Sequence, residues 1–137
     1  MAADKLTILL VEDDDPIRDC LGDLFTAAGH SVYLCSTRMR AESLLRHGGF
    51  NFVLTDGMFP EDDLTGNVRA WGIVICVDAA VRGIPVILMT GDDALAERGE
   101  RYGFKVVKKP FSLTALLEMV KEQVEAEKAR MASAGGE

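Results

Sequence analysis

The sequence has no apolar run that approaches the roughly 18 residues needed to cross a membrane. Its first residues also lack the charged and then apolar pattern of a secretory leader. Positive charge is scarce: 15 Lys and Arg stand against 22 Asp and Glu, which leaves a net charge of −7. This argues against a nucleic-acid surface, because phosphate contacts need clustered cations. We therefore expect a cytoplasmic protein that neither spans a membrane nor binds nucleic acid directly.

Cysteine is equally scarce, with only Cys20, Cys35 and Cys76 in 137 residues. An odd number of cysteines favours buried free thiols in a reducing compartment over disulfides, a metal site or catalysis. Cys20 falls on the apolar face of a predicted helix, Cys35 at a strand end and Cys76 in an apolar stretch. We expect all three thiols to be buried and to take no part in function.

Short apolar runs recur along the chain, and most are too continuously apolar for a half-exposed strand and too short for a helix. Such runs are typical of strands that are covered on both faces in a parallel sheet. The five runs are 6–11, 31–35, 52–55, 85–89 and 104–107.

Segments with helical periodicity alternate with these runs. Apolar residues recur at i, i+3, i+4 and i+7 across 17–28, with Pro16 acceptable in the first turn and Gly29 suited to a left-handed cap. The same spacing recurs across 113–124, where Ser112 is a plausible N-cap. Weaker helical patterns cover 37–47 and 92–101.

The third crossover, 68–82, is apolar nearly all round if it is helical. Its Val and Ile content is also typical of a strand, but the i, i+4 spacing of Asp78 and Arg82 favours a helix. Five alternations of strand and helix in 137 residues predict one doubly wound α/β domain over 1–126. We expect residues 127–137 to form a helix extension and a disordered tail.

Polar side chains follow four of the predicted strands: Glu12 and Asp13, then Asp56, Thr90 and Lys109. A parallel sheet with helical crossovers gathers such strand ends at one edge. Each position also has an ordinary structural explanation: the acids could cap a helix, Asp56 could be a turn residue, Thr90 an N-cap and Lys109 a surface charge. Together they suit a phosphoryl site, because carboxylates bind Mg²⁺ and an aspartate can form an acyl phosphate when a metal and a cation neutralise the charge that gathers in the transition state.

Four motifs in order carry a family resemblance: 8–18, 56–60, 90–91 and 109–111. With the intervening helices, they make the sequence from about Leu6 to Val124 similar to the receiver domain of two-component response regulators. The resemblance implies a flavodoxin-like three-layer sandwich around a five-stranded parallel sheet in the order 2-1-3-4-5, as in chemotaxis-type regulators.

The resemblance also implies roles for the site residues. Asp56 would be the phosphoacceptor, Glu12, Asp13, Asp56 and the Met58 carbonyl would hold Mg²⁺, and Thr90 and Lys109 would contact the phosphoryl oxygens. The phosphoryl group would come from a sensor histidine kinase or a histidine phosphotransfer protein, and a downstream protein target would respond to changed contacts. Such a domain is not an enzyme beyond its own phosphorylation and dephosphorylation. Because only about a dozen polar residues follow the last helix, we expect a stand-alone regulator or phosphorelay shuttle, although a receiver cut from a longer protein would look the same.

Several features depart from the family pattern. The loop 61–66 adds three acids near Asp56, which could attract Mg²⁺ or oppose a phosphoryl dianion. Only 19 positions separate Thr90 from Lys109, and Val106 stands where many receivers carry a tyrosine or phenylalanine. The apolar third helix would be either deeply buried or a contact surface, and we hypothesise that it helps to form a homodimer or partner interface.

The altered loop and the short fourth helix leave a second function open, that of a pseudo-receiver adaptor that signals by binding without phosphorylation. Met58 and Asp92 lie two residues beyond Asp56 and Thr90, where residues of this family tune the loss of the phosphoryl group. We therefore expect Asp92→Ala to change the lifetime of the phosphorylated state.

Overall fold

The computed structural model describes residues 5–135, and within them five parallel strands form one sheet in the order β2-β1-β3-β6-β7. A second sheet pairs the short strands β4 and β5. In chain order the elements are β1 Thr7–Val11, α1 Asp15–Ala27, β2 Ser31–Cys35, α2 Arg38–His47, β3 Phe52–Asp56, β4 Phe59–Pro60, β5 Val68–Arg69, α3 Trp71–Val81, β6 Val86–Thr90, α4 Asp93–Arg101, β7 Lys105–Lys108 and α5 Leu113–Gly135.

Two apolar clusters, one on each face of the large sheet, hold the layers together. Alternate residues of β1 point to opposite faces, so that Leu9 joins the cluster of α2, α3 and α4 while Leu10 joins that of α1 and α5. Leu10 pairs in register with Leu34 of β2 and Leu54 of β3. The predicted three-layer α/β sandwich and its strand order are confirmed, once β4 and β5 are set aside as a separate small sheet.

The central strands are buried along their whole length or nearly so, as the apolar runs predicted, but the two edge strands are not. On β2, Tyr33 and Leu34 are 52% and 42% exposed, and β7 is at most half-buried. The reason is positional, because an edge strand has a neighbour on one side only.

The predicted helix over 68–82 is wrong at its start. Val68 and Arg69 form β5, which pairs antiparallel with β4, and the helix begins at Trp71. The segment is extended because the chain after Pro60 folds back as a hairpin and delivers residue 68 opposite residue 60. Asp78 and Arg82, whose spacing favoured a helix, form an ion pair at 2.7 Å.

Cys20 is exposed, contrary to the prediction that all three thiols are buried, whereas Cys35 and Cys76 are buried. The stripe of α1 that packs on the sheet is centred on Leu21 and Phe25, so Cys20 lies at its rim. Gly29 ends α1 with a φ of 98°, as its position predicted.

The C-terminal helix α5 is continuous from Leu113 to Gly135, and Ser112 Oγ accepts a hydrogen bond from the Ala115 amide at 3.2 Å. The helix therefore passes through most of the segment predicted as an extension and tail, and residues 136–137 lie outside the described part. The division of the chain at residue 126 stays a prediction. Within residues 5–135, no helix is both long and apolar enough to span a membrane.

Candidate functional site

The strand order brings the four predicted polar positions to one edge of the sheet. Glu12 follows β1 directly, Asp56 ends β3, Thr90 ends β6 and Lys109 follows β7. These four strands are neighbours, and Asp56 pairs in register with Met89, the residue before Thr90. Parallel strands end on the same side of a sheet, so the tertiary fold assembles a site from positions as far apart as 12 and 109.

Lys109 lies between two carboxylates at the centre of this edge. Its Nζ is 2.6 Å from Glu12 Oε1 and 3.2 Å from Asp56 Oδ1. Glu12 is completely buried, and Asp56 is 9% exposed. The Gly57 amide donates a further hydrogen bond to Asp56 Oδ1 at 2.8 Å, so this oxygen has two donors.

Three carboxylates form a compact acidic cluster here. Glu12, Asp13 and Asp56 each offer one oxygen, and these oxygens lie within 4.8 Å of one another. Lys109 supplies one positive charge against up to three negative charges. Hard oxygen donors with an excess of negative charge are what a divalent cation such as Mg²⁺ requires, so the residues present suit that ion.

The protonation equilibria of the cluster reflect its burial first and its excess of negative charge second. Burial raises the pKa of Asp56 to about 7, helped by a hydrogen bond with Glu12 and by the charge of Glu12, while Lys109 opposes the rise. Burial and the charge of Glu12 also raise the pKa of Asp13. Burial alone would lower the pKa of Lys109, but its hydrogen bond with Glu12 and the charge of Asp56 raise it instead. A bound divalent cation would reverse the first two shifts.

Of the four acids from Glu12 to Asp15, Asp14 is the one whose side chain caps α1. Asp14 Oδ1 accepts from the Ile17 amide at 3.0 Å and is the N-cap of α1. Glu12 and Asp13 are therefore not required as caps and lie in the acidic cluster.

Thr90 is likewise not the cap of the helix that follows it. Asp92 is the N-cap of α4, accepting from the Leu95 amide at 2.8 Å. Thr90 is 3% exposed, and its Oγ1 accepts a hydrogen bond from the Asp92 amide at 3.0 Å. The hydroxyl hydrogen of Thr90 is thus available to a group bound at the strand ends.

The acids of the loop 61–66 do not join the cluster. Glu61 forms an ion pair with Arg38, and its carbonyl accepts from the Met39 amide at 2.9 Å. Asp62 Oδ1 accepts from two amides of its own loop. Met58 lies between β3 and β4 and is 40% exposed.

An apolar groove of about 480 Å³ adjoins the site on the side of Lys109. It runs between the start of α1 and the segment that leads into α5. Its two walls lie about 90 positions apart in the sequence, so it has no local sequence signal. The groove is lined by Pro16, Ile17, Cys20, Leu21, Lys109, Pro110, Phe111 and Leu113.

Gly72 sets the packing around Asp56, a role that was not predicted from the sequence. A Cβ added at Gly72 would overlap the Asp56 carbonyl oxygen and lie 2.6 Å from Gly57 Cα. The Gly72 amide donates to the Gly57 carbonyl at 3.0 Å, which fixes α3 against the end of β3. The only signal in the sequence was a glycine near the start of a helix, where it costs helix stability without an evident local reason.

No family model matches the sequence. The swarming motility regulation protein RssB of Serratia marcescens is 33% identical over 121 residues, covering 85% of this chain and 52% of the relative. The transcriptional regulatory protein CusR of Escherichia coli strain K12 is 28% identical over 119 residues, covering 85% of this chain and 50% of the relative. The chain thus spans about half the length of these curated relatives.

Solved structures share the fold. The CheY-like response regulator receiver domain protein of Methanospirillum hungatei JF-1 superimposes with a TM-score of 0.76 at 22% identity, covering 93% of this chain and 99% of that one. The response regulator receiver protein of Sinorhizobium medicae WSM419 superimposes with a TM-score of 0.74 at 23% identity, covering 90% of this chain and 98% of that one. This chain therefore has the fold of CheY-like receiver domains, and its sequence is similar to those of regulatory proteins about twice its length.

Proposed function

We propose that this receiver domain is a phosphoacceptor that takes a phosphoryl group onto Asp56 in the presence of Mg²⁺. The observation that carries the proposal is the position of Lys109 Nζ between Glu12 and Asp56, beside three carboxylate oxygens within 4.8 Å of one another. An acidic cluster supports a metal ion, and a fixed ammonium supports the charge of a transferred phosphoryl group.

In the proposed reaction, a carboxylate oxygen of Asp56 forms a bond to phosphorus while the bond from phosphorus to the donor breaks. The donor is a phosphohistidine of a sensor histidine kinase or of a histidine phosphotransfer protein, and its imidazole leaves with the electron pair. Glu12, Asp13, Asp56 and the Met58 carbonyl would hold Mg²⁺, which would supply positive charge to the phosphoryl oxygens. Lys109 and the Thr90 hydroxyl donate to the same oxygens.

The ionisation of Asp56 makes this reaction depend on cations. Only the deprotonated carboxylate attacks, and burial holds the pKa of Asp56 at about 7 in the metal-free protein. Positive charge beside Asp56 lowers that pKa and so increases the reactive fraction near neutral pH. Water later hydrolyses the acyl phosphate, which returns the domain to its starting state.

The apolar groove beside Lys109 supports contact with a protein donor. A phosphohistidine must reach Asp56 from outside the sheet edge, and the groove offers apolar side chains such as Ile17 and Phe111 next to that edge. A helix that carries the histidine on one face and apolar residues beside it would suit such a groove. A downstream protein target then responds to the changed surface, and we place these events in the cytoplasm.

The hypothesis that α3 forms a homodimer or partner interface remains a prediction. Val74, Val77 and Val81 lie on one stripe of α3 and are 37%, 47% and 81% exposed. Sedimentation of the phosphorylated and unphosphorylated protein tests the homodimer. A monomer at high concentration in both states would exclude it.

The test of the proposed function is incubation with acetyl phosphate, with and without Mg²⁺, followed by intact-mass measurement. We expect the addition of one phosphoryl group that requires Mg²⁺ and is lost in Asp56→Asn. The matched control is Asp14→Asn, which alters a neighbouring acid outside the cluster and keeps the helix cap, because asparagine caps as well as aspartate. It should be phosphorylated like the wild type. No addition to the wild type would favour the pseudo-receiver adaptor, which signals by binding alone.

A further inference from the structure

The two edges of the large sheet differ in how they are protected against further strands. The edge strand β7 carries Lys105 and Lys108, and charged side chains on an edge strand discourage the pairing of another strand. The other edge strand, β2, consists of Ser, Val, Tyr, Leu and Cys, and so has neither a charge nor a proline. Within residues 5–135, β2 pairs with β1 alone. The outer edge of β2 is therefore free to accept another strand.

The main-chain groups of Val32 and Leu34 face this free edge. In a parallel strand, the N–H and C=O of one residue point to the same side, and the side alternates with each residue. The Ser31 amide donates to the Leu6 carbonyl at 2.9 Å, so the odd-numbered residues of β2 face β1. The even-numbered residues 32 and 34 face outward, and their N–H and C=O groups can bond to a sixth strand.

A groove of about 310 Å³ runs along this edge, between β2 and α1. At Gly22, where α1 has no side chain, the helix comes so near to β2 that an added Cβ would lie 3.2 Å from Leu34 Cδ2. The edge of β2 therefore forms one wall of the groove and α1 forms the other. The groove is lined by Asp19, Gly22, Asp23, Thr26, Val32 and Leu34.

The α1 wall of the groove is acidic. Asp19 and Asp23 are both exposed and lie four positions apart on the helix, which is a rise of about 6 Å. Alternate side chains of an extended strand, which point to the same face, are about 6.6 Å apart. Asp19 has one long ion pair, 3.9 Å from Arg18 Nε, and Asp23 has none within the described residues. Two basic residues at alternate positions of a docked strand would therefore each meet a carboxylate.

The acidic wall also argues against a second copy of this chain as the occupant. Two β2 strands paired antiparallel about a twofold axis would place their α1 helices side by side on one face of the joint sheet. Asp19 and Asp23 of both copies would then face each other, which is unfavourable in a chain of net charge −7. A basic partner segment has no such penalty.

We propose that the free edge of β2 binds an extended segment of a partner protein as a sixth strand of the sheet. Main-chain hydrogen bonds to Val32 and Leu34 provide the affinity, and lysine or arginine at alternate positions, over Asp19 and Asp23, provides the specificity. The side chains on the other face of the added strand are apolar, because the ring of Tyr33, 52% exposed, lies on that face. This binding needs no phosphoryl group and is independent of the proposed function.

Residue-resolved amide hydrogen exchange, followed by NMR, tests the edge itself. In the protein alone, the amides of Val32 and Leu34 should exchange at least about tenfold faster than that of Tyr33, whose N–H points to β1. The probe is a blocked peptide of about eight residues in which lysine alternates with valine, added at up to about 2 mM. It should slow exchange at both outward amides by about tenfold and leave Tyr33 unchanged. Binding that leaves these two amides unprotected, or no binding at all, overturns the proposal.

A second peptide separates strand pairing from a general attraction between opposite charges. The same sequence with every main-chain amide N-methylated keeps its charge but has no donor for a strand pair, so it should not protect Val32 or Leu34. Equal protection by both peptides would contradict the added strand. Protection that appears in the protein alone and grows with its concentration would show that a second copy occupies the edge, and would overturn the choice of a basic partner.

Charge variants test the acidic wall. Asp19→Asn combined with Asp23→Asn should weaken binding of the lysine peptide about fivefold, because two exposed ion pairs are lost. The matched control is Glu97→Gln combined with Glu100→Gln, which removes the same charge from exposed positions of α4, on the opposite face of the sheet. It should change the affinity by less than about twofold. Equal weakening by the two pairs of substitutions would show a general charge effect and overturn the assignment of the peptide to β2.

Discussion

Lys109 Nζ lies 2.6 Å from Glu12 Oε1, although the two residues are separated by 97 positions in the sequence. This contact joins the residue that follows β1 to the residue that follows β7, and Glu12 is completely buried. Removing the ammonium would leave a buried carboxylate without its cation, which costs far more than losing an exposed ion pair.

We therefore expect Lys109→Met to lower the free energy of unfolding by about 2–3 kcal/mol, somewhat less than for a fully buried pair because Lys109 is partly exposed. Urea denaturation measures the change. Lys108→Met is the matched control, because the neighbouring lysine pairs with Asp93 at an exposed position, and it should have little effect. Adding Glu12→Gln to Lys109→Met should restore part of the loss, and a purely additive double variant would contradict the pairing.

The stability of the metal-free protein should fall as the pH rises from about 4 to about 7, the interval between the unfolded and folded pKa values of Asp56. Burial raises the pKa of Asp56 from 3.8 to about 7 in the folded state, so the folded protein keeps a proton that the unfolded chain has lost. The state that binds more protons is disfavoured as pH rises, and this contribution of Asp56 is lost through its folded pKa. Asp56→Asn should flatten the slope, as measured by urea denaturation in a chelator at several pH values.

The comparison between wild type and Asp56→Asn also removes the contribution of His30 to the pH dependence of stability, which has the opposite sign to that of Asp56. Burial lowers the pKa of His30, whose Nδ1 accepts from the Leu6 amide at 3.0 Å, so His30 makes stability rise with pH. His30 is present in both proteins and cancels in the difference. Identical slopes would show that Asp56 does not retain a proton.

Thiol reactivity should separate the three cysteines. Burial raises the pKa of both Cys35 and Cys76 to about 12, which suppresses the reactive thiolate, whereas Cys20 is exposed on α1. We expect one thiol per chain, that of Cys20, to react rapidly with an aromatic disulfide reagent. The thiols of Cys35 and Cys76 should react only after denaturation. Cys20→Ser should abolish the rapid phase, and a rapid phase that persists would mean that a buried thiol is accessible.

Gly72→Ala should destabilise the domain although alanine favours helices. The added methyl group would overlap the Asp56 carbonyl oxygen, which belongs to the backbone and cannot rotate away. We expect a net loss of about 2–3 kcal/mol, since the overpacking outweighs the gain of about 1 kcal/mol in helix propensity. Gly22→Ala in α1 is the control, because its methyl group would contact only the mobile end of Leu34 at 3.2 Å. The melting temperature should fall clearly further in Gly72→Ala than in Gly22→Ala. Equal melting temperatures would contradict the close approach of Gly72 to the Asp56 carbonyl.

Asp92 should contribute as a helix cap. Asp92→Ala removes the acceptor for the Leu95 amide, so we expect a loss of about 1 kcal/mol in urea denaturation, whereas Asp92→Asn retains the cap and most of the stability. We also expect Asp92→Ala to change the lifetime of the phosphorylated state, followed by the decay of the added mass. If the lifetime is the same in the wild type and both variants, Asp92 acts only as a cap.

The sequence by itself determined the five strands of the large sheet, most of the helices and the edge at which the polar residues meet. Apolar runs such as 52–55 identify strands because period and length are local properties, and the helical spacing across 17–28 identifies α1 in the same way. Parallel strands with helical crossovers end on one side, so the strand assignments placed Glu12, Asp56 and Lys109 at one edge, and the family resemblance supplied the strand order that brings them into contact.

Tertiary packing decided the features that no local pattern contains. The exposure of Cys20 depends on which part of α1 the sheet covers, and the hairpin of β4 and β5 depends on residues 60 and 68 meeting across a loop. The placement of Leu95 over Gly57 likewise requires α4 to lie in one position on β6. A sequence records which side chains are apolar and at what spacing, but the partners of each side chain are selected by how whole helices fit against the sheet.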